Sequence, residues 1–221
     1  MMAILEVKDL NFTYDGEKFV LKDINMEFEN GIMYGIYGKS GAGKSTLLSL
    51  LAGLEKTKNG TISYDGQDVD FISREKYRSS AVGIIFQSYN LLPQYTALEN
   101  VILSMNISGI KEDNKEEKAL KILEKVGIDT DKAKRRVLQL SGGEQQRVSI
   151  ARALSYDSKI ILADEPTGNL DKDNEDEIIN ILKDLAHKEK KCVIVVSHSP
   201  NVKKHVDKLF MLDKGKLKDT N

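Results

Sequence analysis

Residues 38–45 read Gly38-Lys39-Ser40-Gly41-Ala42-Gly43-Lys44-Ser45, and no other stretch restricts the fold of this chain so tightly. The pattern G-x-x-x-x-G-K-S is a phosphate-binding loop, which needs a buried strand before it and a helix after it. Both flanks comply. Ile32 to Tyr37 is a short apolar run of strand length, and Leu47, Leu50, Leu51 and Leu54 then recur at helical spacing. Gly38, Gly41 and Gly43 let the backbone bend tightly and bring bare amides against phosphate oxygens. The Lys44 ammonium can reach β- and γ-phosphates, and the Ser45 hydroxyl can ligate Mg²⁺. The helix dipole directs its positive end to the same place. An ordinary glycine-rich turn is the bland alternative, and the length and context of the motif argue against it.

The regions around this loop divide by pattern. Ile4 to Tyr14 partly alternates apolar and polar residues, as a half-exposed strand does. Asp15-Gly16 signals a hairpin turn, and Phe19 to Phe28 continues as strand. The start therefore reads as antiparallel and the middle as parallel. Tyr14 lies at a turn ahead of the loop, where it can stack on an adenine base or simply edge a strand. Asn59 to Gly66 reads as turn, strand, turn; Ser73 to Ser80 as a short polar helix; Ala81 to Phe86 as a buried strand with Gln87 directly after it.

Ser88 to Arg136 is helical and charged. Thr96 and Glu99 form a capping box ahead of Leu98, Val101, Ile102 and Met105. Gly109 to Lys118 is a solvated loop and helix start, and Ala119, Leu120, Leu123 and Val126 form a second stripe closed by Gly127. Leu140-Ser141-Gly142-Gly143-Glu144-Gln145 follows, with a capping box from Ser141 to Glu144. Two glycines in a first helical turn oppose helix propensity by about 1 kcal/mol each. They make sense where bare amides must approach an anion. The sequence thus predicts an α/β fold: a phosphate-loop core with a mostly parallel sheet (1–87 and 156–221), an antiparallel β part near the N-terminus, and an inserted α-helical subdomain at 88–155.

Two further strand ends carry chemistry. Lys159 to Ala163 runs into Asp164 and Glu165, the first suited to a Mg²⁺ position, the second to a base or positioner for an attacking water. Pro166 to Asp171 is a turn before a helix carrying Ile178, Ile179, Ile181, Leu182 and Leu185. Val193 to Ser197 is the last buried strand, and His198 follows it. A histidine at a strand end is often structural. This one shares its topological position with Gly38, Gln87, Asp164 and Glu165, the edge where open α/β sheets bind ligands.

Composition excludes several classes. With 33 basic and 34 acidic residues, the formal net charge of −1 gives no general attraction to nucleic acid or acidic lipid. Six lysines lie between Lys203 and Lys218, but Asp207, Asp213 and Asp219 are interspersed, so a solvated surface is the reading. Cys192, the single cysteine, permits no intrachain disulfide and reads as a small buried residue. Glu6, Lys8 and Asp9 argue against a secretory signal, and there is no 18-residue apolar stretch. The expectation is a cytosolic protein that works at a membrane only through another chain.

Taken together, these motifs resemble the nucleotide-binding subunit of ATP-binding cassette (ABC) transporters, over nearly the whole chain. Gly38 to Ser45 resembles the Walker A loop, Ile160 to Glu165 Walker B with its catalytic glutamate, and Leu140 to Gln145 the signature LSGGEQ. Gln87 resembles the Q-loop glutamine, Gly168 to Asp171 the D-loop, and His198 the switch histidine. Tyr14 falls where the family's adenine-stacking aromatic lies.

The resemblance implies ATP and Mg²⁺ as cofactors. ATP would be held by Tyr14, Gly38, Lys39, Ser40, Gly41, Ala42, Gly43, Lys44, Ser45, Thr46 and Gln87. A second copy of the chain would add Ser141, Gly142, Gly143, Glu144 and Asp171 head to tail. Ser45, Gln87 and Asp164 would hold the metal; Glu165, His198, Gln87 and Lys44 would carry catalysis. The partners implied are a homodimer formed on ATP binding and a separate integral membrane permease at the inner face of the cell membrane.

Val82 to Pro93 and Leu162 to Asp171 resemble the lipoprotein-release, macrolide-export and antimicrobial-peptide-resistance branch; its cell-division relative, which regulates a membrane partner without transport, stays open. Ser88 to Leu98 would contact the permease, unless Leu91, Leu92 and Tyr95 are merely buried. Three positions depart from the family pattern: Lys39, Arg136-Val137-Leu138 and Ser199, where Asp is common. Other readings fit less well. A soluble translation member carries two cassettes, a repair member a long coiled coil between its motifs, and a GTPase an N-K-x-D that Asn114-Lys115-Glu116-Glu117 does not supply.

Overall fold

The computed structural model describes residues 3–218. Strands β1 (Leu5–Phe12) and β2 (Leu21–Phe28) pair antiparallel and bury Leu5, Val7, Leu10 and Phe12 against Leu21, Ile24, Met26 and Phe28. Their alternation slips because the ladder is bulged; Asp9 and Asp23 take φ 49° and 53°, and Asn25 and Asn11 side chains accept the N–H groups displaced there. The predicted tight hairpin at Asp15-Gly16 is instead a wider loop. Asp15 Oδ1 gathers the Thr13 hydroxyl and the Glu17 and Lys18 amides, which pulls its carboxyl down to about 2, and β2 starts at Leu21 with Phe19 left exposed.

β3 (Met33–Tyr37) feeds the glycine loop and α1 (Lys44–Leu51) leaves it. α1 stops a turn earlier than its leucine spacing predicts: Gly53 adopts φ +64°, and Leu54 lies outside the helix, 44% exposed. β4 (Asn59–Tyr64) and β5 (Gln67–Asp68) form a hairpin, followed by α2 (Arg74–Ser80) and β6 (Val82–Ile85). Helices α3 (Ala97–Ile107), α4 (Lys115–Lys125), α5 (Thr130–Ala133) and α6 (Gly142–Leu154) occupy the stretch before β7 (Ile160–Asp164). Then come α7 (Lys172–His187), β8 (Cys192–Ser197), α8 (Pro200–His205), β9 (Lys208–Asp213) and β10 (Lys216–Lys218). Capping boxes start α3 and α6 as the sequence predicts, and Gly127 at φ +79° ends the α4 stripe.

Two sheets result. One has the order β2-β1-β4-β5 and is antiparallel; the other runs β10-β9-β3-β8-β7-β6, parallel except for the β9–β10 hairpin. The parallel strands are apolar throughout because both faces are covered. Ile160, Leu162, Ile194 and Val196 face the core shared with α1 and the antiparallel sheet. Ile161, Ala163, Val193 and Val195 face the core shared with α3, α4, α6 and α7. Cys192 is buried in the first of these cores, with Ile160, Leu162 and Ile194, and that burial pushes its thiol up to about 12. This is the phosphate-loop α/β architecture, with its strand ends β3, β6, β7 and β8 aligned at one edge.

Candidate active site

The residues after those four strands converge on an open cleft of about 710 Å³. β3 delivers Gly38, Lys39, Ser40, Gly41, Gly43, Lys44, Ser45 and Thr46; β6 delivers Gln87, β7 Glu165 and β8 His198. The loop is seated on parts of the chain remote in sequence. A side chain at Gly38 would meet the Leu212 carbonyl at 2.4 Å, and Gly43, at φ +102°, has Leu21 Cδ2 2.9 Å from where a Cβ would stand. The Ala42 carbonyl accepts from Gly215 N at 3.0 Å, and the Gly215 carbonyl accepts from Lys22 N at 2.8 Å. The β9–β10 turn thus braces the loop from behind, a support absent from any local pattern. Ala42 itself turns inward: its side chain is buried and its N–H bonds Lys39 O, so it closes the loop and does not line the cleft.

Within the cleft, Lys44 is 8% exposed, and its Nζ donates to Gly38 O at 2.9 Å and Lys39 O at 3.3 Å. It stands 3.9 Å from Glu165 Oε1. Glu165 takes φ +45°, a left-handed backbone that disfavours a side chain and points to a constrained site. Its Oε1 is 2.8 Å from His198 Nδ1, and its Oε2 accepts from Ser197 Oγ at 3.1 Å and His198 N at 3.3 Å. A carboxylate with an imidazole partner, beside an ammonium and a bed of free amides, can orient water against a bound phosphate.

Ser45 Oγ donates to Asp164 Oδ1 at 3.5 Å. Burial raises the Asp164 carboxyl above its ordinary range, helped by Glu165 and opposed by Ser45 and Lys44. Among the described residues no cluster of three or more His, Cys, Asp or Glu forms an all-protein metal site. One hydroxyl and one carboxylate are nevertheless the donor set that suits Mg²⁺, which takes a few protein oxygens and completes its shell with phosphate and water. Gln87 reaches the same cleft; its Nε2 donates to Asn169 Oδ1 and its carbonyl accepts from Asn169 Nδ2, both at 3.2 Å. Asn169 lies in the Gly168 to Asp171 turn that resembles the D-loop, but no local pattern shows its contact with Gln87.

Tyr14 stands at the rim, 58% exposed, with its hydroxyl 3.3 Å from Thr46 Oγ1 and its ring edge-on to Phe12. The Asp15 turn and Lys58, which donates to Thr13 O at 2.9 Å, hold that loop. The signature segment lies away from the residues lining the cleft. Ser141 caps α6, with Glu144 accepting from Ser141 N at 2.8 Å and pairing with Lys132 at 3.1 Å. Asp171 caps α7, its carboxylate taking Asn174 N and Nδ2. Packing adds a second constraint at one of the signature glycines: a Cβ on Gly143 would stand 2.0 Å from Asn174 Oδ1 on α7, which would have to move to admit it. Gly142 has more room, with Tyr89 Oη at 3.0 Å from its Cβ position. Leu92 and Tyr95 are each 37% exposed and Leu138 is 71% exposed, while Val137 is buried.

A family model described as ABC transporter matches residues 21–168. YclH of Bacillus subtilis (strain 168), described as an uncharacterized ABC transporter ATP-binding protein, is 49% identical over 97% of this chain and 95% of its own. LolD of Treponema denticola, a lipoprotein-releasing system ATP-binding protein, is 42% identical over 94% of this chain and 93% of its own. A bacterial ABC transporter cassette solved as a dimer superposes with a TM-score of 0.88 at 36% identity, covering 97% of each chain. The same cassette, solved in a post-hydrolysis state bound to ADP and Pi, also gives 0.88. The chain belongs to the ABC transporter family. It is an ATP-binding ATPase cassette of the branch that includes LolD.

Proposed function

We propose that this cassette powers a separate membrane permease, exporting or extracting a peptide, lipoprotein or drug-like substrate, and that two copies close head to tail around two ATP molecules. The observation that carries the reading is the split of the motifs. Lys44, Gln87, Glu165 and His198 line one cleft, whereas Ser141 and Gly142 open a helix elsewhere on the surface. The dimeric cassette of similar fold supports a second copy supplying that helix start. The resemblance to a lipoprotein-releasing ATPase supports the substrate class.

In this reading Gly38 to Gly41 and Gly43 to Thr46 cradle the phosphates, Ala42 closes the loop behind them, and Tyr14 covers the base. Ser45, Asp164 and Gln87 would hold Mg²⁺, which when bound neutralises phosphate charge. Glu165 positions or deprotonates the attacking water, His198 and Gln87 orient the γ-phosphate, and Lys44 offsets the charge that develops. Residues 1–87 and 156–221 act as the core and 88–155 as an inserted helical unit, whose exposed Leu92, Tyr95 and Leu138 meet the permease. Among the described residues no helix is long and apolar enough to cross a membrane, so the permease would hold the cassette at the cytoplasmic face.

The test is Glu165→Gln. The variant is expected to bind ATP, lose turnover by roughly 100-fold or more, and elute as an ATP-dependent dimer. Full turnover in the complex with its permease would overturn the assignment of Glu165. Identifying the co-purified membrane chain separates transport from a regulatory role without it.

A further inference from the structure

The proposed chemistry needs Glu165 and His198 held against each other, yet they sit on separate loops, after β7 and after β8. One side chain joins those loops from outside the cleft. Glu175, on the first turn of α7, accepts from Ser199 Oγ at 2.7 Å and from Thr167 Oγ1 at 3.2 Å, both on the same oxygen. Thr167 follows Glu165 by two residues and is 5% exposed; Ser199 directly follows His198.

Ser199 is doubly committed. Its hydroxyl also accepts from Asn201 N and Val202 N as the cap of α8, and its own N–H donates to Ser197 Oγ at 3.0 Å. Ser197 Oγ then donates to Glu165 Oε2. The Glu175 carboxylate is therefore joined to the Glu165 carboxylate through two hydroxyls and one amide. From the other side it holds the backbone just past Glu165.

We infer that Glu175 is a positioning residue that sets the Glu165–His198 geometry by pinning Ser199 and Thr167. The inference rests on the proposed roles of Glu165 and His198. It also gives a reason for serine at 199. An ionised Glu175 can only accept hydrogen bonds, so its neighbour must donate. A hydroxyl caps α8 and donates; an aspartate would cap α8 equally well but set a second carboxylate against the first.

The experiment is a swap, read as kcat and KM for ATP in the complex purified through a tag on this chain. Ser199→Asp is expected to lower kcat by roughly tenfold to a hundredfold with KM for ATP little changed, because positioning is lost while the phosphate loop is intact. The double variant E175Q/S199D is expected to recover most of it, since the amide introduced at position 175 can donate to the carboxylate introduced at position 199. E175Q alone keeps an acceptor for both hydroxyls and should lie near the wild type, with Glu175→Ala well below it. Wild-type kcat in Ser199→Asp, or no recovery in the folded double variant, would overturn the inference. If Glu165→Gln also retained full turnover, the fault would lie in the site reading and not in the positioning pair.

Discussion

Two helices of this cassette open on glycine, and they open differently. α1 starts from Gly43 with no side-chain cap and no acidic residue in its first turn. α6 starts from Ser141 with a closed capping box and Glu144 in its first turn. The first turn of any helix leaves N–H groups without intrahelical partners. In α1 those groups, with the adjacent Lys44, remain available to an anion. In α6 the box already satisfies Glu144 N, and a carboxylate stands against the positive end of the dipole. Only α1 is equipped to hold phosphate alone. The α6 start is the weaker anion site of the two, and in the proposed dimer it would serve only once a second copy presents phosphate to it.

The contrast can be broken most forcefully at Lys44. Lys44→Ala should lower turnover about 100- to 1,000-fold and weaken ATP binding, by removing the buried cation from α1; equilibrium binding of a fluorescent ATP analogue reads the second effect. If binding were unchanged, α1 would not be the primary site.

Next come the glycines. Gly143→Ala must push Asn174 aside and is expected to cost about 1–3 kcal/mol, as overpacking does. Gly41→Ala meets nothing within 4 Å and should cost about 1–2 kcal/mol through its left-handed backbone alone. Adding Asn174→Ala should recover part of the first loss and none of the second in urea unfolding. A smaller step is Ser141→Ala, which removes the cap for about 1 kcal/mol and should shift the melting temperature by about 2–4 °C. ATP binding to the monomer should stay as it was.

The smallest effect concerns Asp164. Burial raises its carboxyl, so the folded chain holds that proton more tightly than the unfolded one. Stability from this group is therefore lost as pH rises from the ordinary carboxylate range through the raised value. Ligand-free Asp164→Asn should melt above the wild type at neutral pH, with the gap closing as pH falls below that window. Its response to Mg²⁺ with ATP should vanish. A wild-type melting curve shift on adding both, retained by the variant, would remove Asp164 from the metal.

What the sequence made legible was local or periodic. Continuous apolar runs marked Val82–Ile85, Ile160–Asp164 and Cys192–Ser197 as strands buried on both faces, and serine or threonine three residues ahead of glutamate marked the starts of α3 and α6. Contacts between distant segments were not legible. Gly143 was read for its backbone amide alone, and the Asn174 side chain that fills the space beside it is a further constraint; Ala42 looked like part of the cradle although its N–H and carbonyl bond Lys39 and Gly215. Leu54 matched helical spacing, but spacing carries no information on where a glycine two residues after the helix turns the chain left-handed. Glu175, which no motif marks, and the pairing of Asn169 with Gln87 belong to the same category: they take their meaning from what folds against them.

The left-handed backbone of Glu165 has a consequence for anyone who engineers this cassette. At φ +45° a non-glycine residue is strained by about 1–2 kcal/mol, and glycine would relieve it. A search for stabilising substitutions scored on melting temperature alone would favour Glu165→Gly. That variant would lose the carboxylate facing His198 and Lys44. Thermostability and turnover are set in opposition at this one backbone angle, and selection for either must be checked against the other.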